Sequence, residues 1–132
     1  MPGRFPPASR LRRRSEFTGV FDQGTKKHGR LMSVFVLARA QGNPRIGIAA
    51  SKKLGGAVDR NLAKRRMREV FRLAVPPGEI DIVVIPRREL LVAPFESVQR
   101  EFASLVDVAV RHGKRSQPSV VLPRAAGRDQ RL

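Results

Sequence analysis

An α/β (α+β) sandwich, with its elements in the order α-β-β-α-β-α around one small sheet, is the fold the sequence predicts. Three observations carry it. Behind Gly55-Gly56, apolar residues recur at helical spacing, which puts Ala63, Met67, Val70, Phe71 and Ala74 on one side of a helix. Residues 31–40 (LMSVFVLARA) and 45–50 (RIGIAA) are rich in strand formers and flank a Gln41-Gly42-Asn43-Pro44 turn. Residues 80–85 (IDIVVI) are a short, nearly continuous apolar run, typical of a strand covered on both faces.

Each element follows from local chemistry. Residues 1–14 (MPGRFPPASRLRRR) are proline-rich, then basic, and are expected to form a flexible basic arm. Ser15 can cap a short helix over residues 16–23, with Gly24 as its stop. Phe17, Val20 and Phe21 stand at i, i+3 and i+4, so both rings emerge on one side. Gly19 weakens that helix, so tertiary contacts must hold it. The two strand-like segments around the turn predict a hairpin. The long basic helix follows, with Asp59 near its start, where a carboxylate suits the helix dipole. Pro76-Pro77-Gly78 end it. Pro94 opens a last helix whose Phe95, Val98, Phe102, Leu105, Val106 and Ala109 keep helical spacing. Arg111 and His112 suit its carboxyl end, and Gly113 is its expected stop. Residues 114–132 lack periodicity and are expected to be a disordered basic tail, leaving residues 15–113 as a single domain.

Charge decides the class of partner. The 132-residue chain carries 27 Lys and Arg against 11 Asp and Glu, a formal net charge of +16. Much of it is concentrated on the long helix. Between Arg60 and Arg72 the only acid is Glu69, while Asn61, Lys64, Arg65, Arg68 and Arg72 share an arc beside the apolar stripe. Solvated helix faces normally mix signs, and unpaired like charges repel. An anionic partner is the simplest compensation, and arginine-rich character suits bidentate contacts to phosphate. No apolar run approaches the roughly 20 residues a membrane-spanning helix needs, and no secretory signal pattern follows the basic start. Cysteine is absent, which removes disulfides, zinc knuckles and thiol chemistry and fits a reducing cytoplasm.

A protein-borne catalytic centre is hard to assemble. His28 falls in a predicted loop and His112 at a helix end, and neither has a serine–carboxylate spacing around it. Asp81 and Asp107 do not form a paired-carboxylate motif. No Lys-Ser/Thr pair follows Gly55-Gly56, so these glycines form a tight strand-to-helix turn rather than a Walker loop. Such a turn can still contact an RNA phosphate. Phe17, Phe21 and Phe35 fall in segments that could share a surface, where rings would stack on unpaired bases. Core packing is the ordinary role for each ring taken singly.

The run Ser51-Lys52-Lys53-Leu54-Gly55-Gly56-Ala57-Val58-Asp59-Arg60-Asn61, followed by Lys64-Arg65 and Arg68-Glu69-Val70-Phe71-Arg72, resembles the signature of the bacterial ribonuclease P protein subunit. Ser15 to Gly24 resembles that family's first helix, and residues 81–85 its third strand. The resemblance implies a fold like a domain of ribosomal protein S5, with a left-handed crossover through the basic helix; default chirality favours the right-handed form. It implies a small cytoplasmic protein that assists a catalytic RNA in cutting the 5′ leader from precursor tRNA. The chemistry would then belong to the RNA and its magnesium ions, with no cofactor bound by the protein alone and no small-molecule substrate. Carried over by position, Lys52, Lys53, Arg60, Asn61, Lys64, Arg65, Arg68 and Arg72 would contact RNA, and Phe17, Phe21 and Phe35 would line a cleft for the leader. Two positions depart from the family pattern: Leu62 stands where an arginine is usual, and Phe35 where tyrosine is common. A structural ribosomal protein or general RNA-binding protein is the alternative reading; it would not distinguish precursor from mature tRNA.

Overall fold

The structure, a computed structural model, describes residues 9–39 and 42–116. Three helices and four strands follow one another as α1 (Arg14–Gln23), β1 (Thr25–His28), β2 (Met32–Ala38), β3 (Arg45–Ile48), α2 (Ala57–Leu73), β4 (Ile80–Pro86) and α3 (Phe95–Ser116). Short 3-10 turns at Lys52–Leu54 and Arg88–Leu91 precede α2 and α3. The strands form one sheet in the order β1-β2-β4-β3, in which β4 is antiparallel to β2 and parallel to β3.

That order corrects the expected hairpin. β2 and β3 are neighbours in the chain but not in the sheet, because β4 lies between them. Ile82, Val83 and Val84 are completely buried, so the most apolar strand takes an interior position with cover on both faces. The hairpin that does form joins β1 to β2, pairing Thr25 with Val36 and His28 with Ser33. β1 is an additional strand. Its sequence, Thr-Lys-Lys-His, carries no apolar residue; ladder hydrogen bonds to β2 form it, and α3 packs against it, leaving Thr25 and Lys27 half-buried. His28, expected in a loop, lies on this strand.

The sheet separates two cores. One face packs α2 and α3 through Ala63, Met67, Val70, Phe71, Val98 and Phe102 against Val34, Ile46, Ile82 and Val84. Each large apolar side chain among them contributes about 1.5–3 kcal/mol on leaving water. The expected apolar stripe of α2 is thus buried, except that Ala74 stands exposed just past the helix end. The other face carries a smaller cluster of Leu11, Val20, Phe35 and Val83, with Phe17 packed against it, under α1.

Several boundaries shift. Ser15 does not cap α1; Arg13 occupies that position, and the Glu16 carboxylate reaches back to the backbone N–H groups of Arg12 (2.8 Å) and Arg13 (3.0 Å). Part of the expected arm packs on the domain: Leu11 is buried, its N–H donates to the Ile46 carbonyl (3.0 Å), and Arg10 bridges to Ile46 of β3. Gly113 does not stop α3, which continues to Ser116. The remainder of the expected tail, residues 117–132, and the first eight residues of the arm lie outside the described residues.

Candidate nucleic-acid interface

α2 starts from a turn that only glycine satisfies. Gly55 has φ +144°, and a β-carbon there would collide with the Asp59 carboxylate. The Ser51 hydroxyl accepts from the Lys53 N–H (3.3 Å) and caps the turn that presents Lys52 and Lys53 to solvent. With Ala63, Met67, Val70 and Phe71 docked on the sheet, the helix geometry turns the adjoining arc outward.

On that arc Asn61 and Arg65 are exposed, and Arg60, Lys64 and Arg68 are half-buried along their stems. None of Lys52, Lys53, Arg60, Lys64, Arg65 and Arg68 pairs with a carboxylate among the described residues. Burial, then the positive charge of Arg10, hold the Arg68 guanidinium below the usual arginine range. Arg10, bridged to Ile46 at the edge of β3, thus lies near enough to Arg68 for its charge to act there. Residue-by-residue reading misses it because it falls in the expected flexible arm.

Two arginines of α2 do other work. Arg72 donates its Nε to Glu69 (3.1 Å), an ion pair that raises the arginine and lowers the carboxylate, so Arg72 stands apart from the acid-free set. Arg66 donates to the carbonyls of Leu90 (2.6 Å) and Ala93 (2.7 Å) and ties α2 to the second 3-10 turn. Leu62 is half-buried beside the apolar stripe, consistent with a docking position.

The opposite face of the sheet holds the three phenylalanines. Strand register aligns Lys26, Phe35, Val83 and Gly47 in one row across β1, β2, β4 and β3. Phe17 lies over Gly47, whose missing side chain makes room for the ring. Phe21 meets Phe35 edge to face, with centroids 4.9 Å apart and planes at 88°, and Lys26 Nζ lies 5.2 Å from the Phe35 centroid. Exposure separates their roles. Phe35 is only 8% exposed and forms the floor, whereas Phe21 is 36% exposed at the rim. The next row on this face, His28, Ser33 and Ile85, runs beside them, with His28 Nδ1 hydrogen-bonded to the Ser33 hydroxyl (2.9 Å).

α1 is held over this face by charge. Arg45 donates to Asp81 through Nε (2.9 Å) and Nη2 (2.8 Å), and to Glu16 of α1 through Nη1 (3.1 Å). Arg39 pairs with the same Asp81 at 2.8 Å. No motif points to Gly47, Arg45 or Asp81 as site residues, although a glycine inside a strand is a recognised sign of close approach. Among the described residues no group of three or more His, Asp or Glu could hold a metal ion. No described helix is long and apolar enough to cross a membrane.

Fold and site together define a small basic α/β protein with a cationic arc on one side of its sheet, of which only Arg72 pairs with an acid among the described residues, and an aromatic floor on the other. The family model for ribonuclease P matches residues 5–110. The ribonuclease P protein component of Symbiobacterium thermophilum is 42% identical over 105 residues, covering 77% of this chain and 91% of that protein. That of Ralstonia pickettii is 36% identical over 116 residues, covering 81% and 83% respectively. Among solved structures, the RNase P protein of Staphylococcus aureus superposes with TM-score 0.68 at 29% identity, over 77% of this chain and 95% of that one. The RNase P protein of Thermotoga maritima gives 0.65 at 33%, over 77% and 96%. This chain belongs to the bacterial ribonuclease P protein family. Its role is therefore in a tRNA-processing ribonucleoprotein, alongside an RNA subunit.

Proposed function

We propose that this chain binds the catalytic RNA of ribonuclease P through the cationic arc of α2, and holds the single-stranded 5′ leader of precursor tRNA against the aromatic face of its sheet. The absence of carboxylate partners for Lys52, Lys53, Arg60, Lys64, Arg65 and Arg68 among the described residues carries the first half. Arg60, Lys64, Arg65 and Arg68 are positioned by the docked helix, Lys52 and Lys53 by the capped turn before it, and all are left for phosphates to neutralise. The leader reading is supported by Phe21 and the row beneath it, since a ring stacks on any base and a processing enzyme must accept many leaders. Leader recognition would let the protein distinguish precursor from mature tRNA.

In this reading the protein supplies binding and orientation in the cytoplasm, while the RNA and its magnesium ions carry out phosphodiester hydrolysis. Reconstitution with the cognate RNA at low magnesium is the test. Cleavage of precursor tRNA at its 5′ end should rise sharply when the protein is added, and the protein alone should be inert. Equal cleavage with and without the protein would refute the proposal.

A further inference from the structure

A second arginine-bearing surface lies at the end of the sheet opposite Asp81. There a groove of about 620 Å³ is bounded by the β1–β2 turn, the segment following the second 3-10 turn, and the first half of α3. Arg30 and Arg100 line it, and Arg87 and Arg88 are exposed at the preceding turn. Neither Arg30, Arg88 nor Arg100 has a carboxylate partner among the described residues.

The groove is built rather than incidental. Glu101, one of two acids in its lining, spends its oxygens on the backbone N–H groups of Arg30 (3.1 Å), Leu31 (2.8 Å) and Met32 (3.0 Å). A β-carbon on Gly29 would collide with that carboxylate, so the turn is shaped around it. Arg87 fastens the same turn to the end of β4, donating its Nε to the Gly29 carbonyl (3.1 Å) and its N–H to the Leu31 carbonyl (2.9 Å). Glu89 is the remaining acid.

The groove also adjoins α2. Arg66 clamps the carbonyls of Leu90 and Ala93, and Ala93 lines the groove. Val92, 87% exposed, projects from the same wall. Arg30 and Arg100 in the lining, with Arg88 exposed at the neighbouring 3-10 turn, are single cations from three separate elements, suited to the repeating single charges of a nucleic-acid backbone.

We infer that this groove is a second RNA-contacting surface, taking the phosphates of a strand that passes from α2 across the 3-10 turn, with Arg30, Arg88 and Arg100 as its cations. The inference rests on the reading that α2 binds the catalytic RNA. The test compares the full chain with its Arg30→Ala/Arg88→Ala/Arg100→Ala variant, measuring affinity for the cognate RNA over a salt series and footprinting the RNA backbone. The variant should bind about tenfold or more weakly at low salt, with a log–log slope shallower by about 2 units, at roughly 0.7–0.9 per phosphate. It should lose one set of protected backbone positions and retain those assigned to α2. All three side chains are exposed, so melting should not change. Should it fall, Arg100→Ala alone must still flatten the slope by roughly 0.7–0.9. Wild-type binding with an unchanged slope and footprint in the variants overturns the inference alone. Failure of the wild-type chain to bind the RNA overturns the α2 reading and this inference with it.

Discussion

Phe17 of α1 rests directly on Gly47 of β3. A β-carbon at that glycine would stand 2.5 Å from Cζ and 2.7 Å from Cε2 of the ring, so the ring lies on bare strand backbone. Gly47→Ala must lift Phe17, because the next obstacle, Leu11 Cβ at 3.1 Å, closes the other way out. The variant is expected to lose about 1–3 kcal/mol of stability through overpacking. It should also bind leader-bearing precursor less tightly while its affinity for mature tRNA holds. A folded variant with undiminished preference for precursor would separate this ring from leader recognition.

The two partners of the edge-to-face pair should respond differently to truncation. Phe35→Ala removes a ring that is 8% exposed and should cost about 3–5 kcal/mol of stability in chemical denaturation. Phe21→Ala removes one that is 36% exposed. Its main effect is expected in precursor affinity, about 1–3 kcal/mol if the ring stacks on a leader base. Loss of stability without loss of affinity in the second variant would assign Phe21 to packing.

Glu16 makes the start of α1 sensitive to acid. The N–H groups of Arg13 and Arg12, then the nearby Arg45, hold its carboxyl below the ordinary value of 4.5. A carboxyl whose pKa is lower in the folded state adds stability above its unfolded pKa, and that stability is lost as pH falls through the folded pKa. Glu16→Ala should therefore destabilise by about 1 kcal/mol at neutral pH, as expected for a disrupted cap. The gap from wild type should narrow as pH is lowered well below 4.5. A gap that stays constant on acidification would show that the ionised carboxylate is not what stabilises the helix.

Asp81 is 5% exposed and sits between Arg39 and Arg45. Asp81→Ala leaves both guanidinium groups facing one another and frees Arg45, the residue that places α1 through Glu16. A loss of about 2–4 kcal/mol is expected in denaturant titrations, tempered by the partial exposure of both arginines. A change below about 0.5 kcal/mol would mean the arginines are satisfied by solvent.

Where burial drives an element, the amino-acid pattern reveals it. The periodicity of Ala63, Met67, Val70 and Phe71 locates the docked face of α2, and the run at residues 80–85 locates the covered strand. β1 escapes such reading because Thr-Lys-Lys-His has no apolar residue; its ladder to β2 and the packing of α3 against it hold it in place. The false hairpin arises from proximity in the chain, since the turn signal says that β2 and β3 are linked, not that they pair. Arg39 and Arg45, one on each side of β4, both reach Asp81, and no local pattern reports such a three-way meeting. The cationic arc is legible from spacing alone. That Glu69 claims Arg72 and that backbone carbonyls claim Arg66 emerges only in three dimensions.

The claim that α2 meets the catalytic RNA through its phosphates is tested most directly by the salt dependence of that binding in an Arg65→Ala/Arg68→Ala variant. Both guanidinium groups lack acid partners among the described residues, so the variant should bind more weakly than wild type. Its log–log slope should flatten by roughly 0.7–0.9 for each phosphate left without its cation. A slope identical to wild type, in a variant that still melts cooperatively at the wild-type temperature, would contradict the account.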